Sequence, residues 1–237
     1  ATVIGNVFGA AYYIFYFLRG NSVLSIHPKD FAARDGICTG VLAIGIPASL
    51  GSLLMSVSQI VVNSQMANYG NMAIAGMGVA MKVTMITGMV GIGLGQGVQP
   101  LLGYCVGARM WERFKKVFRF SLLFAFALGL AMTLLCYLFT GQIVKMFLEN
   151  AAAYDYGVQF SKILLTTSTL FGVFYVLCNT LQAMGAATAA LIVNLSRQGI
   201  IYIPAVFILQ RLLNITGLAW AQPVADVLST VLVAALY

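Results

Sequence analysis

Lys82, Arg197 and Asp226 are ionisable side chains that stand inside long apolar runs of this 237-residue chain. An unpaired charge at the centre of a bilayer costs about 2.5–3.5 kcal/mol on the mildest scale, so an intramembrane charge is a functional candidate by default. Counting about 1.5 Å per residue from the expected helix ends puts all of them near the bilayer midplane. Asp226 is expected to pair with Arg197 or Lys82, leaving one cation to face water or a substrate. The competing reading is a structural ion pair that holds a bundle together.

Uncharged polar residues recur around these charges at helical spacing. Ser49, Ser52, Ser56, Gln59 and Asn63 fall within an arc of roughly 80° at about 100° per residue, with Gly45 on the same face and Pro47 at its start. Ser168, Gly172, Tyr175, Asn179 and Gln182 repeat the pattern, and Gln222, Asp226 and Ser229 do so near the C-terminus. Polar groups facing hydrocarbon are costly, so these faces meet protein or a wet cavity. Interhelical hydrogen bonding explains one such seam, and a cavity explains them together. Ser52, Ser56, Gln59, Asn63, Tyr175, Asn179, Gln182 and Gln222 are therefore candidate cavity residues. Met77, Met81, Met85 and Met89, four apart, suit either an adaptable ligand surface or an irregular core; Met85 and Met89 join the candidates.

Other chemistries find little support. The single histidine, His27, lies in a polar loop, and no carboxylate pair falls within an apolar run, so an enzyme is not expected. Cys38, Cys105, Cys136 and Cys178 are scattered without metal spacing. No cofactor or metal is expected. Gly91, Gly93, Gly95 and Gly97 fail as a dinucleotide fingerprint because Gln96 stands where the last glycine belongs. They read instead as GxxxG pairs that admit a close helix neighbour. Gly91 and Gly95, with Pro47, Pro100 and Pro204, are candidate hinges of an access cycle.

The elements that would carry these residues follow from composition. The chain is 61% hydrophobic and 8% charged, with mean hydropathy +0.94, whereas a soluble domain carries about 25% charged residues. Hydropathy predicts spans over 1–18, 37–65, 73–104, 114–140, 158–183, 186–210 and 216–237. Backbone polar groups in hydrocarbon must be satisfied within the segment, so the spans are helices. The fold class is an all-α polytopic bundle. Arg19, Lys29, Arg34, Arg109, Arg113, Lys115, Lys116 and Arg119 lie in loops of one side, against Lys145 and Arg211 opposite, which puts the first side in the cytoplasm. The basic cluster 109–119 is a topological signal or an anionic-lipid contact; no domain presents it to nucleic acid. Both ends of the sequence fall inside apolar runs and are expected to be cuts through a longer polypeptide.

Several strings then form a familiar set: Ile44-Gly-Ile-Pro-Ala48, Tyr69-Gly with Ala73-Ile-Ala75, and Gly95-Gln-Gly-Val-Gln-Pro100 leading into Gly103-Tyr-Cys-Val-Gly-Ala108. Leu181-Gln-Ala-Met-Gly185, Arg197-Gln-Gly-Ile with Ile203-Pro204, and Ala219-Trp-Ala-Gln-Pro223 with Asp226 follow. In this order and spacing the chain resembles the multidrug and toxic compound extrusion (MATE) transporters. The resemblance implies that 1–18 ends a first lobe, 19–36 is a cytoplasmic linker, and 37–237 is the second six-helix lobe of a twelve-helix transporter. It also implies export of organic, often cationic, compounds from the cell by antiport with Na⁺ or H⁺. The expected partners are lipid, small organic substrates and the missing N-terminal lobe. No carboxylate stands near Met55, where some branches carry one, so the resemblance points to the missing lobe for the coupling acid. A lipid-linked oligosaccharide or lipid flippase of the same superfamily is the alternative, for which Lys82 and Arg197 would meet a pyrophosphate head group.

Overall fold

The computed structural model describes residues 2–18, 37–148 and 150–236. The expected linker 19–36, with His27, lies outside them, as do the side chains of Pro47 and Ser52. All regular structure among the described residues is helical: α1 Thr2–Leu18, α2 Ile37–Ala67, α3 Asn71–Gly107, α4 Trp111–Lys145, α5 Ala151–Leu165, α6 Ser168–Ala183, α7 Ala187–Leu195, α8 Tyr202–Leu213 and α9 Ile215–Ala235. A π turn, Ser196–Ile200, joins α7 to α8. The chain divides into two units, Ala1–Ile46 and Pro47–Tyr237. In the first, α1 is an apolar helix with Val3, Phe8 and Tyr12 exposed. The second holds most of α2 and all of α3 to α9.

Among the described residues, α3, α4, the α7–α8 run and α9 are long and apolar enough to cross a membrane, and the bent pair α5–α6 is so when its two helices are taken together. This is a multi-pass membrane protein. Two of the expected spans are interrupted rather than straight. The run predicted over 158–183 begins at Ala151, where Asn150 caps α5 by accepting from the Ala152 N–H at 3.0 Å. It then breaks at Thr166–Thr167 with a 43° bend. The run predicted over 186–210 contains the π turn, in which the Ile201 N–H reaches back to the Ser196 carbonyl at 2.8 Å. Hydropathy registers neither irregularity, because the residues at both breaks remain compatible with a span.

Packing sorts the helices by depth. The most apolar stretch of α4 is only 17% buried, against 44% in α3, and Phe120, Leu123 and Leu138 stand exposed along it. That is the pattern of a helix facing lipid. α3 runs through the middle, against α4, α5 and α6. Val62 and Met66 of α2, Met77 and Ala80 of α3, Phe160 of α5, Tyr202 and Val206 of α8 and Leu218 of α9 form the principal core.

The α3–α6 contact explains two of the glycines. A Cβ on Gly91 would lie 3.0 Å from the Gly172 nitrogen, and one on Gly95 would lie 2.7 Å from Asn179 Nδ2. Gly93 and Gly97 face open space. The glycine run therefore has a packing edge and a free edge. α3 is continuous through Gly91, Gly95 and Pro100; Gly91 and Gly95 serve close approach to α6, Pro100 is exposed, and the irregular backbone among the described residues lies in α5–α6 and before Pro204.

Candidate functional site

A cavity of about 410 Å³ opens among α2, α3, α5, α6, the π turn, α8 and α9. Its apolar lining is rich in methionine: Met55 from α2 and Met77, Met81, Met85 and Met89 from one edge of α3, with Ile92, Leu164 and Phe171 beyond. Ser58, Gln59, Lys82, Thr84, Tyr175, Arg197, Gln198, Tyr202 and Gln222 supply its polar groups. A mostly apolar pocket with a few convergent polar groups is the usual form of a small-molecule site.

The polar arrangement centres on Arg197. The π turn carries this side chain inward, where it is 5% exposed. Its Nε donates to Asp226 Oδ1 at 2.7 Å, and its Nη1 donates to the Tyr175 hydroxyl at 3.4 Å. The guanidinium carbon lies 4.8 Å from the ring centres of both Phe171 and Phe174, and 5.7 Å from that of Tyr175. Aromatic faces attract a cation by their quadrupole, most strongly where water is excluded. Gln222 Nε2 donates to the same Asp226 Oδ1 at 3.0 Å. Asp226 is 2% exposed and stands behind the cavity wall rather than on it. Arg197, not Lys82, is thus its partner.

Lys82 does line the cavity, and its ammonium sits 5.4 Å from the centre of the Phe147 ring, just past the end of α4. Nearby, Gln59 Nε2 is 3.5 Å from the Met81 sulfur, and the Ser58 hydroxyl donates to the Gln198 carbonyl in the π turn. That bond ties α2 to the segment carrying Arg197.

Of the residues singled out from the sequence, Gln59, Met85, Met89, Tyr175 and Gln222 line the cavity with Lys82 and Arg197. The other described residues of the polar faces lie outside its lining. Ser56 and Asn63 are exposed on α2 away from the wall, and Ser58 and Met55 occupy the inward edge instead. Asn179 Nδ2 donates to the Tyr175 carbonyl at 2.8 Å in its own helix, and Gln182 accepts from Gln99 Nε2 at 3.3 Å. Ser168 and Ser229 bond to the carbonyls of Leu164 and Ala225, four residues back. A hydroxyl that finds its acceptor four residues back along the chain needs no cavity, so a polar stripe overstates the wet surface. Ser58, Thr84, Gln198 and Tyr202 escaped the sequence reading because none falls on the helical stripes that periodicity picks out. Tertiary proximity alone groups them.

Residues 47–208 match the MatE family model, and the chain belongs to the multidrug and toxic compound extrusion family of membrane transporters. Among its relatives, the multidrug export protein MepA of Staphylococcus haemolyticus strain JCSC1435 is 31% identical over 228 residues, covering 95% of this chain and 49% of that protein. The solved structure of the MATE multidrug transporter DinF-BH aligns with a TM-score of 0.81 and 30% identity, over 99% of this chain and 53% of its own. An outward-facing MATE transporter of the MOP superfamily aligns with a TM-score of 0.83 at 19% identity, over 97% and 52%, and shares the fold. The chain spans about half the length of the curated relatives it matches.

Proposed function

We propose that this chain is one lobe of a secondary transporter that exports organic compounds by antiport with Na⁺ or H⁺, its cavity opening alternately to either side of the cell membrane. The observation that carries this reading is the methionine- and aromatic-lined cavity with one buried ion pair at its wall. Its size suits a drug-sized molecule, since such pockets run about 300–1,000 Å³. Flexible thioethers repack around ligands of different shape. The relatives agree in kind: MepA is named for multidrug export and DinF-BH is a multidrug transporter.

The interrupted spans fit the same function. Transporters commonly build substrate sites where irregular backbone lines a cavity, and rock one repeat against another around them. Here the π turn and the α5–α6 break both adjoin the residues of the site. Positive charge at Arg109–Arg119 supports a cytoplasmic loop between α3 and α4, which would put the C-terminus on that side as well.

The deciding experiment is efflux of a fluorescent amphiphile from vesicles holding the full-length transporter, under Na⁺ and H⁺ gradients imposed separately. Efflux that follows one gradient and stops when it is collapsed is the expected outcome. Transport that ignores both gradients sinks the antiport reading. Translocation of a labelled lipid, with no efflux of any amphiphile, favours a flippase.

A further inference from the structure

We propose that the wall this chain gives to the cavity receives an acidic group of the transported molecule, a carboxylate or phosphate-type oxyanion. The inference rests on the transport reading and names the substrate chemistry for its site.

The charges on the wall are of one sign. Lys82 and Arg197 are its ionised lining residues, and no carboxylate lines it among the described residues. Asp226 offsets Arg197 from behind. It uses Oδ1 for both Arg197 and Gln222, and Oδ2 is buried on the side of the Thr167 hydroxyl, away from the cavity lining. The pair therefore turns its cationic end to the cavity and its anionic end into the protein. Lys82 makes no ion pair among the described residues. With Asp226 counted, the wall still carries one net positive charge.

The guanidinium is also set up to donate. An arginine has five N–H groups in a rigid planar fork that matches an oxyanion's two acceptors. One here serves Asp226 and one Tyr175, which leaves three without a hydrogen-bond partner among the described residues of a side chain that lines the cavity. Phe171, Phe174 and Tyr175 hold the fork in place, so little ordering remains to be done when an acceptor arrives. Gln59, Gln198 and Gln222 also line the cavity, and each amide nitrogen has a second N–H beyond the one that Gln222 gives to Asp226 or Gln59 to Met81. An organic cation approaching this wall meets two like charges and no counter-ion. An amphiphile with an acidic end meets donors there and thioethers for its apolar body.

A matched pair of rhodamine dyes tests the proposal: a cationic ethyl ester and its free acid, which differs by carrying a carboxylate. Equilibrium binding of each to the purified full-length transporter is read by fluorescence anisotropy, with efflux from vesicles measured alongside. The free acid should bind about tenfold more tightly, the size of one charge-assisted hydrogen bond. Lys82→Gln, at an exposed position, should narrow that ratio. Asp226→Asn, which strips Arg197 of its counter-ion, should widen it if the variant folds. Equal binding, tighter binding of the ester, or a ratio that Lys82→Gln leaves unmoved overturns the proposal, even if both dyes are exported. Loss of gradient-driven efflux with the acid preference intact sinks the antiport reading instead.

Discussion

Arg197 Nε lies 2.7 Å from Asp226 Oδ1, with the two side chains 6% and 2% exposed, and this bond joins the π turn to α9. Breaking a buried pair from one side strands the other charge, at a cost of about 3–5 kcal/mol. Asp226→Ala should therefore lower the thermal midpoint of the detergent-solubilised protein sharply. The double change Arg197→Met with Asp226→Leu should recover most of the loss, because a well-packed apolar pair often replaces a buried ion pair at little cost. A double variant no better than the single one would refute the pairing.

The edge of α3 that meets α6 offers a second check. Gly95→Ala drives a methyl to 2.7 Å from Asn179 Nδ2 and 3.0 Å from the Tyr175 backbone. Overpacking of this kind costs about 1–3 kcal/mol. Gly93→Ala and Gly97→Ala meet no atom within 4 Å and should be neutral or stabilising by up to about 1 kcal/mol, as alanine favours helix over glycine. Equal effects at all of these positions in a thermal-shift series would contradict the α3–α6 contact.

Gln222 holds Asp226 from the other side. Gln222→Leu removes one of the two donors to Oδ1, and an underserved buried acceptor costs about 1–3 kcal/mol. Gln222→Glu should be worse, since it sets a second carboxyl group beside the first. Chemical denaturation of the two variants ranks them, and the reverse order would argue that Gln222 faces elsewhere.

Accessibility distinguishes the cavity from the lipid face. Cys105, Cys136 and Cys178 are buried and should resist a membrane-impermeant maleimide until the protein is unfolded. In a background with Cys38 replaced, Met85→Cys and Met89→Cys, whose parent side chains are 57% and 58% exposed and line the cavity, should label readily and be protected by a bound amphiphile. Leu123→Cys, at 72% exposure on α4, should stay unlabelled if that face meets hydrocarbon. Labelling of Leu123→Cys with sparing of Met85→Cys would exchange the two faces.

Much of the fold was legible in residue order. Charge so sparse and apolar runs so long require a membrane, and a membrane requires helices, because hydrocarbon leaves backbone groups no other partner. The short strings around Pro100, Gly185 and Asp226 were enough to mark the family, and intramembrane charge marked Lys82, Arg197 and Asp226 as residues with a job.

Partner choice, cavity lining and the breaks came from the tertiary structure. Lys82 and Arg197 were equivalent partners for Asp226 until the π turn rotated Arg197 toward α9. Periodicity put Ser56, Gln59 and Asn63 on the polar face of α2, and of these Gln59 lines the cavity, beside Met55 and Ser58 that periodicity left out. Ser168 and Ser229 looked wet but bond to carbonyls four residues back, Ser168 across the α5–α6 break and Ser229 within α9. The physical reason is common to all of these. Transfer from water to lipid is additive along a chain and can be read from composition, whereas pairing depends on which side chains three-dimensional packing brings within hydrogen-bond reach. A one-residue π insertion leaves hydropathy almost unchanged and redirects the side chains around it.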